Sequence, residues 1–440
     1  MRNGERYPSL KLNHRFFGLR ILLLNLSEKN IEMSTGLREG MAAIAQQGLQ
    51  QPQETLSAIK QKNNSLFIGI PKEISFQENR IPLTPLSVAL LVNNGHKVLI
   101  ETGAGIGANF SDRDYSEQGA IISYSKKEVF EADIIVKIAP PTLEEVALMH
   151  KGQTLLSALQ MGTLNEGYVK ALMNKKINAL CFEHLRDEGK VLSVVRAMSE
   201  IVGATSIFIA AEYLSSVTGG KGLMLGGFTG VPPTEIVILG AGTVGEYAAR
   251  TALSLGAEVK VFDSSIYRLR RLQNNLGSRV FTSVMQPIVL AKAITTCDVV
   301  IGAIRANHGR SPCIVMEETV SRMKPDSVVI DVSIDQGGCF ETSEVTNHAN
   351  PVFRKYDVIH YCVPNIASRV PRTASYALTN ILAPILMDIG DLGGLMNVVW
   401  NRPGIREALY IYQGHLTSKD LANMFNLPFK DLELLVVSNQ

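Results

Sequence analysis

The sequence predicts an α/β protein built from two doubly wound domains, one of them a Rossmann-type nucleotide-binding unit. Three observations lead there. Short β-branched runs alternate with longer helical segments, a strand runs straight into a glycine-rich turn at 236–245, and a glycine- and proline-rich connector, Gly219–Pro233, separates two such series. The 440 residues suffice for two or three domains with real cores.

The first series begins near Ser65, with strands expected at Leu66–Ile70, Lys97–Ile100, Asp133–Ile138, Thr154–Leu159 and Ala179–Phe182. They are apolar along their whole length, as in parallel sheets covered on both faces. Leu192–Ser216 reads as one long helix with Val195, Met198, Val202, Ile209 and Leu214 on its apolar side. A second series follows at Ile236–Leu239, Val259–Phe262, Val280–Thr282, Val299–Ile304, Val328–Val332 and Ile359–Val363. Helical pattern returns from about Ser375 to Leu392 and again at Ser418–Phe425, and residues 28–64 read as an exposed helical arm.

Composition excludes several classes. Forty-three Lys+Arg against 41 Asp+Glu leave a net charge of +2, too little to hold nucleic acid over a broad surface. The five cysteines form no C-x-x-C pair, so zinc knuckles and thioredoxin-like centres are excluded; they read as reduced thiols of a cytoplasmic protein, and no metal site is expected. No apolar run reaches ~18 residues, so no membrane-spanning helix is expected. Phe16–Leu26 is apolar behind a basic flank, but Arg20 interrupts it and no cleavage site follows. The preferred reading is an over-extended start, with translation beginning near Met33 or shortly upstream.

The chemistry concentrates at Ile236–Gly245. Gly240 permits the tight turn, Gly242 lets a pyrophosphate approach the backbone, and Gly245 allows helix and strand to pack closely. Thr243 and Val244 open a helix whose free N–H groups face the anion. Asp263 ends the next strand, 23 residues beyond Gly240, where a carboxylate binds a ribose 2′-hydroxyl. That acid would repel a 2′-phosphate, so NAD is favoured over NADP; Arg268 nearby softens the preference. Gly103–Ala108 nominally fits a second such motif, but no apolar helix follows, and it reads as a tight loop at the domain cleft.

Doubly wound sheets bind ligands beyond strand C-termini. Two such ends stand out: Asp331 with Asp335, Gln336, Gly337 and Gly338, and the amide of Asn365. Arg80, in the polar turn Glu78-Asn79-Arg80, is a candidate to clamp a carboxylate. Ordinary turn chemistry and a surface arginine are the plainer readings of these residues.

At Gly69-Ile-Pro-Lys-Glu with Asn79-Arg80, at Ala197-Met198-Ser199-Glu200, Gly219-Gly220-x-Gly222 and Gly240–Gly245, the chain resembles the alanine dehydrogenase and pyridine-nucleotide transhydrogenase family. Ile334-Asp335-Gln336-Gly-Gly-Cys-Phe-Glu341 and Tyr376-Ala-Leu-Thr-Asn380 carry the resemblance further, towards the alanine dehydrogenase branch. It spans about Leu66 to Val436. It implies a discontinuous substrate domain, 65–192 completed by 376–440, around a Rossmann domain at 193–375, behind an extension at 1–64. It implies NAD-dependent oxidative deamination of L-alanine to pyruvate and ammonium by a homo-oligomer, a hexamer in the family. Arg80 would hold the substrate carboxylate and Asp335 would act in catalysis at the cleft. Met198, Ser199, Asp263, Ile304, Asp335 and Asn365 would line the cofactor site.

Two positions depart from the family. Its alanine dehydrogenases carry a lysine where this chain has Ala139, and a histidine where it has Gln160. Deamination needs a titrating group near the substrate nitrogen, and a glutamine amide can only orient or polarise. Lys137, one pleat from Ala139, together with His308 and Asp335 are the possible substitutes, and Asp335 is preferred. The alternative reading is a nucleotide-binding homologue with lost or altered dehydrogenase activity.

Overall fold

The structure, a computed structural model, describes residues 65–160, 164–306 and 309–437. The arm read over 28–64, the stretch Phe16–Leu26 and His308 lie outside the described residues.

Two sheets carry the fold. In the first, β1 (Phe67–Ile70), β2 (Lys97–Glu101), β3 (Ile121–Ser123), β4 (Ile134–Val136), β5 (Thr154–Ser157) and β6 (Asn178–Cys181) are parallel. The second holds β7 (Glu235–Leu239), β8 (Glu258–Phe262), β9 (Phe281–Ser283), β10 (Val299–Gly302) and β11 (Val328–Asp331), with the hairpin β12 (Val352–Lys355) and β13 (Val358–Tyr361). A late hairpin, β14 (Leu409–Tyr412) and β15 (His415–Leu416), returns to the first sheet and pairs antiparallel with β6. The strand orders are β15-β14-β6-β5-β4-β1-β2-β3 and β12-β13-β11-β10-β7-β8-β9.

These orders place the functional loops. In the first sheet the chain reverses direction between β1 and β4; in the second it reverses between β7 and β10. Such switch points open a crevice at the strand C-termini. The loops there carry Lys72, Glu73, Lys137 and Ala139 in one sheet, and Gly240, Ala303 and Ile304 in the other.

Two helices join the halves. Helix α1 (Ser193–Leu214) buries Val194 in the core of the first sheet and Ile207, Ile209, Ala210 and Leu214 in that of the second. Helix α2 (Pro371–Asp391) sends Leu378, Leu382, Leu386 and Ile389 back into the first core, against Ile68, Ile100 and Val136. Truncating Leu382, fully buried, costs about 2–5 kcal/mol by loss of transfer energy plus cavity.

Among the described residues α1 is long and apolar enough to cross a membrane by length and composition. Its apolar character has another physical reason. A helix that serves two cores in turn is apolar on different faces at its two ends, so its whole length reads as hydrophobic.

Candidate active site

The glycine turn, the candidate nucleotide cradle, grows out of β7. Gly240 has φ +112, and a Cβ there would lie 2.4 Å from the Ala303 carbonyl oxygen at the head of β10. At Gly245 it would lie 1.9 Å from the Gly240 oxygen. At Gly242 it would meet nothing within 4 Å. The chain is therefore closed at the first and third glycines and open at the second. Helix α3 (Thr243–Ser254) starts at that opening with no side-chain cap, and Thr243 and Val244 are half-buried in its first turn. Uncapped N–H groups beside open space fit a bound phosphate.

Asp263 is buried at the tip of β8. Its Oδ2 accepts from Ala241 N at 2.7 Å and its Oδ1 from Ser265 N at 2.7 Å. The carboxylate therefore braces the glycine turn and keeps one lone pair per oxygen for a further donor. Arg268 Nη1 lies 3.8 Å away, and Arg271 Nη2 donates to the Ala241 carbonyl.

Across the crevice, Asp331 ends β11 fully buried. It accepts from Ser333 N, Cys339 N and Ser343 Oγ at 2.7–2.9 Å. Burial still pushes its pKa up, against those hydrogen bonds. The hub organises the loop after it. Ser333 Oγ receives Ile304 N at 3.0 Å and Gln336 Oε1 receives Ala306 N at 3.0 Å, so the loops after β10 and β11 form one surface. Gly337 and Gly338 (φ +92 and +77) then turn the chain away.

Asp335 stands on this surface, exposed to the crevice, and its carboxylate accepts the Asn365 backbone N–H. Burial of the carboxyl raises its pKa, opposed by that hydrogen bond and by the Arg80 charge; its open side lets water screen part of the push. Asn365 follows β13 in the left-handed conformation (φ 56, ψ 46), which asparagine tolerates.

Arg80 arrives from the first sheet. Its Nε and Nη2 donate to Glu78 Oε1 and Oε2 at 2.7 and 2.6 Å, and Nη1 lies 3.5 Å from Met198 Sδ on α1. Asn365 Nδ2 donates to Glu78 Oε2 at 3.0 Å. Burial works to raise the Glu78 pKa, but the Arg80 hydrogen bonds and charge hold it below the usual carboxylate range. Hydroxyls far along the chain seat the turn: Ser368 Oγ takes Asn79 N, Ser375 Oγ takes Ile81 N, and Thr379 Oγ1 takes Thr84 N, 295 residues away. Behind it, the Gly103–Ala108 loop packs on the Asn79 backbone, where a Cβ at Gly107 would lie 2.7 Å from the Asn79 oxygen.

The remaining candidates are placed differently. Lys137, one of the possible substitutes for the missing acid/base, is fully buried. Its Nζ lies 2.7 Å from Glu73 Oε2 and 3.7 Å from Glu145 Oε2, so its charge is committed to two carboxylates. Glu73 also receives Ile138 N at 2.5 Å, and burial raises its pKa despite Lys137. Ala139 is buried beside this pair. Gln160 is exposed, at φ +49, with its N–H and that of Leu159 on Glu183 Oε2. Ser199 is half-buried on α1, next to Met198.

Arg80, Met198, Asp335 and Asn365 are thus brought together, while Gly240, Gly242, Thr243, Val244, Gly245 and Asp263 form the adjoining cradle. Glu183, Ser368, Ser375 and Thr379 were missed, and no local signal marks them because each acts through a distant partner.

Comparison with known proteins identifies the family and the fold. Residues 69–202 match the N-terminal domain of the alanine dehydrogenase/PNT family and residues 206–419 its C-terminal domain. An alanine dehydrogenase of Methanococcus maripaludis is 40% identical over 370 residues, covering 84% of this chain and 99% of that protein. One of Bacillus subtilis is 38% identical over 358 residues, covering 81% and 94%. Among solved structures, an L-alanine dehydrogenase has a TM-score of 0.76 at 36% identity, covering 82% of this chain and 99% of its own. A transhydrogenase from Sinorhizobium meliloti, at 23% identity and TM-score 0.69, covers 80% and 99% and shares the fold.

Proposed function

Because this chain belongs to the alanine dehydrogenase/PNT family, we propose that it is an NAD-dependent dehydrogenase that converts L-alanine to pyruvate and ammonium. One observation carries the reading: Arg80, Asp335 and Asn365, from three separate segments, converge beside the open Gly242 cradle.

The residues present fit the cofactor. The Gly242 opening and the α3 N-terminus would take the pyrophosphate and Asp263 the ribose, and Met198, Ser199, Ile304 and Asn365 would line the nicotinamide end. Bound NAD supplies the hydride acceptor. Arg80 binds the amino-acid carboxylate and fixes the Cα–H direction. Asp335 takes the proton released from the substrate nitrogen, a task suited to a carboxylate with a raised pKa. Gln160 offers an amide that orients the carbonyl or a water, and Lys137 acts on the site through Glu73. Asp263 supports NAD over NADP, since a carboxylate facing a phosphate is unfavourable.

The outward apolar residues Phe208, Val217, Met224, Phe228 and Val231, on α1 and the connector after it, support a homo-oligomer. Five free cysteines support a reducing, cytoplasmic setting.

A second reading, a nucleotide-binding homologue with lost or altered turnover, is favoured by one feature: neither Ala139 nor Gln160 can titrate. Titrating NADH and NADPH by calorimetry, beside a screen of small amino acids, separates the two. Tight NADH binding with turnover supports the dehydrogenase; tight binding with silence across the screen supports the homologue. Equal affinity for both nucleotides contradicts the role of Asp263 and implicates Arg268.

A further inference from the structure

Arg80 has five N–H donors in a rigid plane, and four of them form two forks. The side fork, Nε and Nη2, is taken by Glu78 at 2.7 and 2.6 Å. One edge remains for a second carboxylate, the end fork formed by Nη1 and the outer hydrogen of Nη2. Met198 Sδ, 3.5 Å from Nη1, contributes a weak acceptor and leaves that fork usable.

Glu78 itself is saturated. Its Oε1 receives Arg80 Nε and, at 3.1 Å, the Arg80 backbone N–H; its Oε2 receives Arg80 Nη2 and, at 3.0 Å, Asn365 Nδ2. Four donors on four lone-pair positions leave nothing for a substrate proton or ammonium. The side chain is 3% exposed, and that of Arg80 is 11% exposed. A buried, fully bonded pair holds the guanidinium in one orientation.

We propose that Glu78 is a positioning residue: by occupying the side fork of Arg80 and anchoring to Asn365, it forces the substrate carboxylate onto the Nη1/Nη2 end fork. The inference rests on the amino-acid dehydrogenase reading for the identity of the substrate, and on the geometry alone for the orientation. It also explains why Asn365, in the loop after β13, matters to an arginine in the turn after β1. The substrate grip is set by a residue from the cofactor side.

The test is Glu78→Gln, because a glutamine NH₂ placed against Arg80 Nη2 and Asn365 Nδ2 opposes two donors. The probe is pyruvate, titrated by NADH fluorescence on the enzyme–NADH complex, with KM and kcat for L-alanine measured beside it. The pyruvate Kd and the amino-acid KM should both rise roughly 10–100-fold, the loss of one bidentate charged pair. At saturation kcat should fall much less than KM rises, and the NADH Kd should shift far less than the pyruvate Kd. A fall in kcat with KM unchanged would overturn the proposal and place Glu78 on the proton path. Unchanged pyruvate binding would overturn it too. If Glu78→Gln loses its folding transition, Glu78→Asp, which keeps the charge but shortens the reach, should give the same KM-specific loss. Wild-type protein that binds pyruvate without oxidising L-alanine removes the proposed function and leaves the clamp standing. Wild-type protein that binds no pyruvate removes the clamp.

Discussion

Gly203 of α1 lies against Val244 of α3 so closely that a methyl group on Gly203 would stand 2.4 Å from the Val244 carbonyl oxygen. Val244 is in the first turn of the helix that faces the cradle, and Met198 lies on the same α1 beside Arg80. The crossing therefore sets the spacing between the glycine turn and Arg80.

Gly203→Ala should force the two helices apart. The overpacking is expected to lower stability by about 1–3 kcal/mol and to weaken NADH binding as the first turn of α3 shifts. Thermal unfolding beside an NADH titration checks both. A variant as stable and as tight as wild type would show that the helices shift freely.

The three glycines of the turn should separate experimentally. A Cβ at Gly242 meets no protein atom within 4 Å, so Gly242→Val should fold with near-normal stability and lose NADH affinity by roughly 10²-fold or more as the side chain fills the open space at the turn. Gly245→Ala, at 1.9 Å from the Gly240 oxygen, should instead impair folding. Normal NADH binding by Gly242→Val would place the pyrophosphate elsewhere.

Asp335 predicts a pH limb. Its pKa is raised, chiefly by burial, so amine oxidation should weaken as pH falls through a value above 3.8 and the carboxylate is protonated. Asp335→Asn should cut kcat by roughly 10²–10⁴ and remove that limb while NADH still binds. Near-normal kcat with the limb intact would assign the proton to another group.

His360 predicts acid sensitivity of the fold. It is fully buried, its Nδ1 donating to the Val358 carbonyl at 3.0 Å and its Nε2 accepting from Thr342 Oγ1 at 2.9 Å. Burial lowers its pKa below 6.5, so the native imidazole is neutral where the unfolded one is protonated. Stability from this group is present above about pH 6.5 and is lost as pH falls, by at most about 1.4 kcal/mol per pH unit. Raised acids such as Asp331 act in the opposite sense at lower pH, so the comparison is with His360→Gln, whose unfolding free energy should fall less between pH 7 and 5. Parallel slopes would contradict it.

Much of this was legible from residues alone. Parallel strands covered on both faces read as continuous apolar runs, which is why β1, β7 and β10 stood out, and the glycine turn and Asp263 follow from local stereochemistry. The hairpin strand β12 did not show, because its turn uses Tyr356 and Asp357 at φ 55 and 57, where glycine or asparagine signals would be sought. The hairpin β14–β15 was hidden by its shortness and by a partner, β6, far back in the chain. At the site, Arg80 and Asp335 were visible as types in loops. The saturation of Glu78 and the burial of Lys137 depend on Asn365 and Glu145, and pairings of that kind leave no periodicity to read.

The account stands most directly on the initial rate of NADH formation, followed by absorbance, when purified protein is mixed with NAD and L-alanine at several pH values. Alanine-dependent NADH formation that falls at acid pH and is abolished by Asp335→Asn is the result predicted, with turnover persisting although positions 139 and 160 cannot titrate. No NADH from L-alanine at any pH, from protein shown to bind NADH, would contradict it.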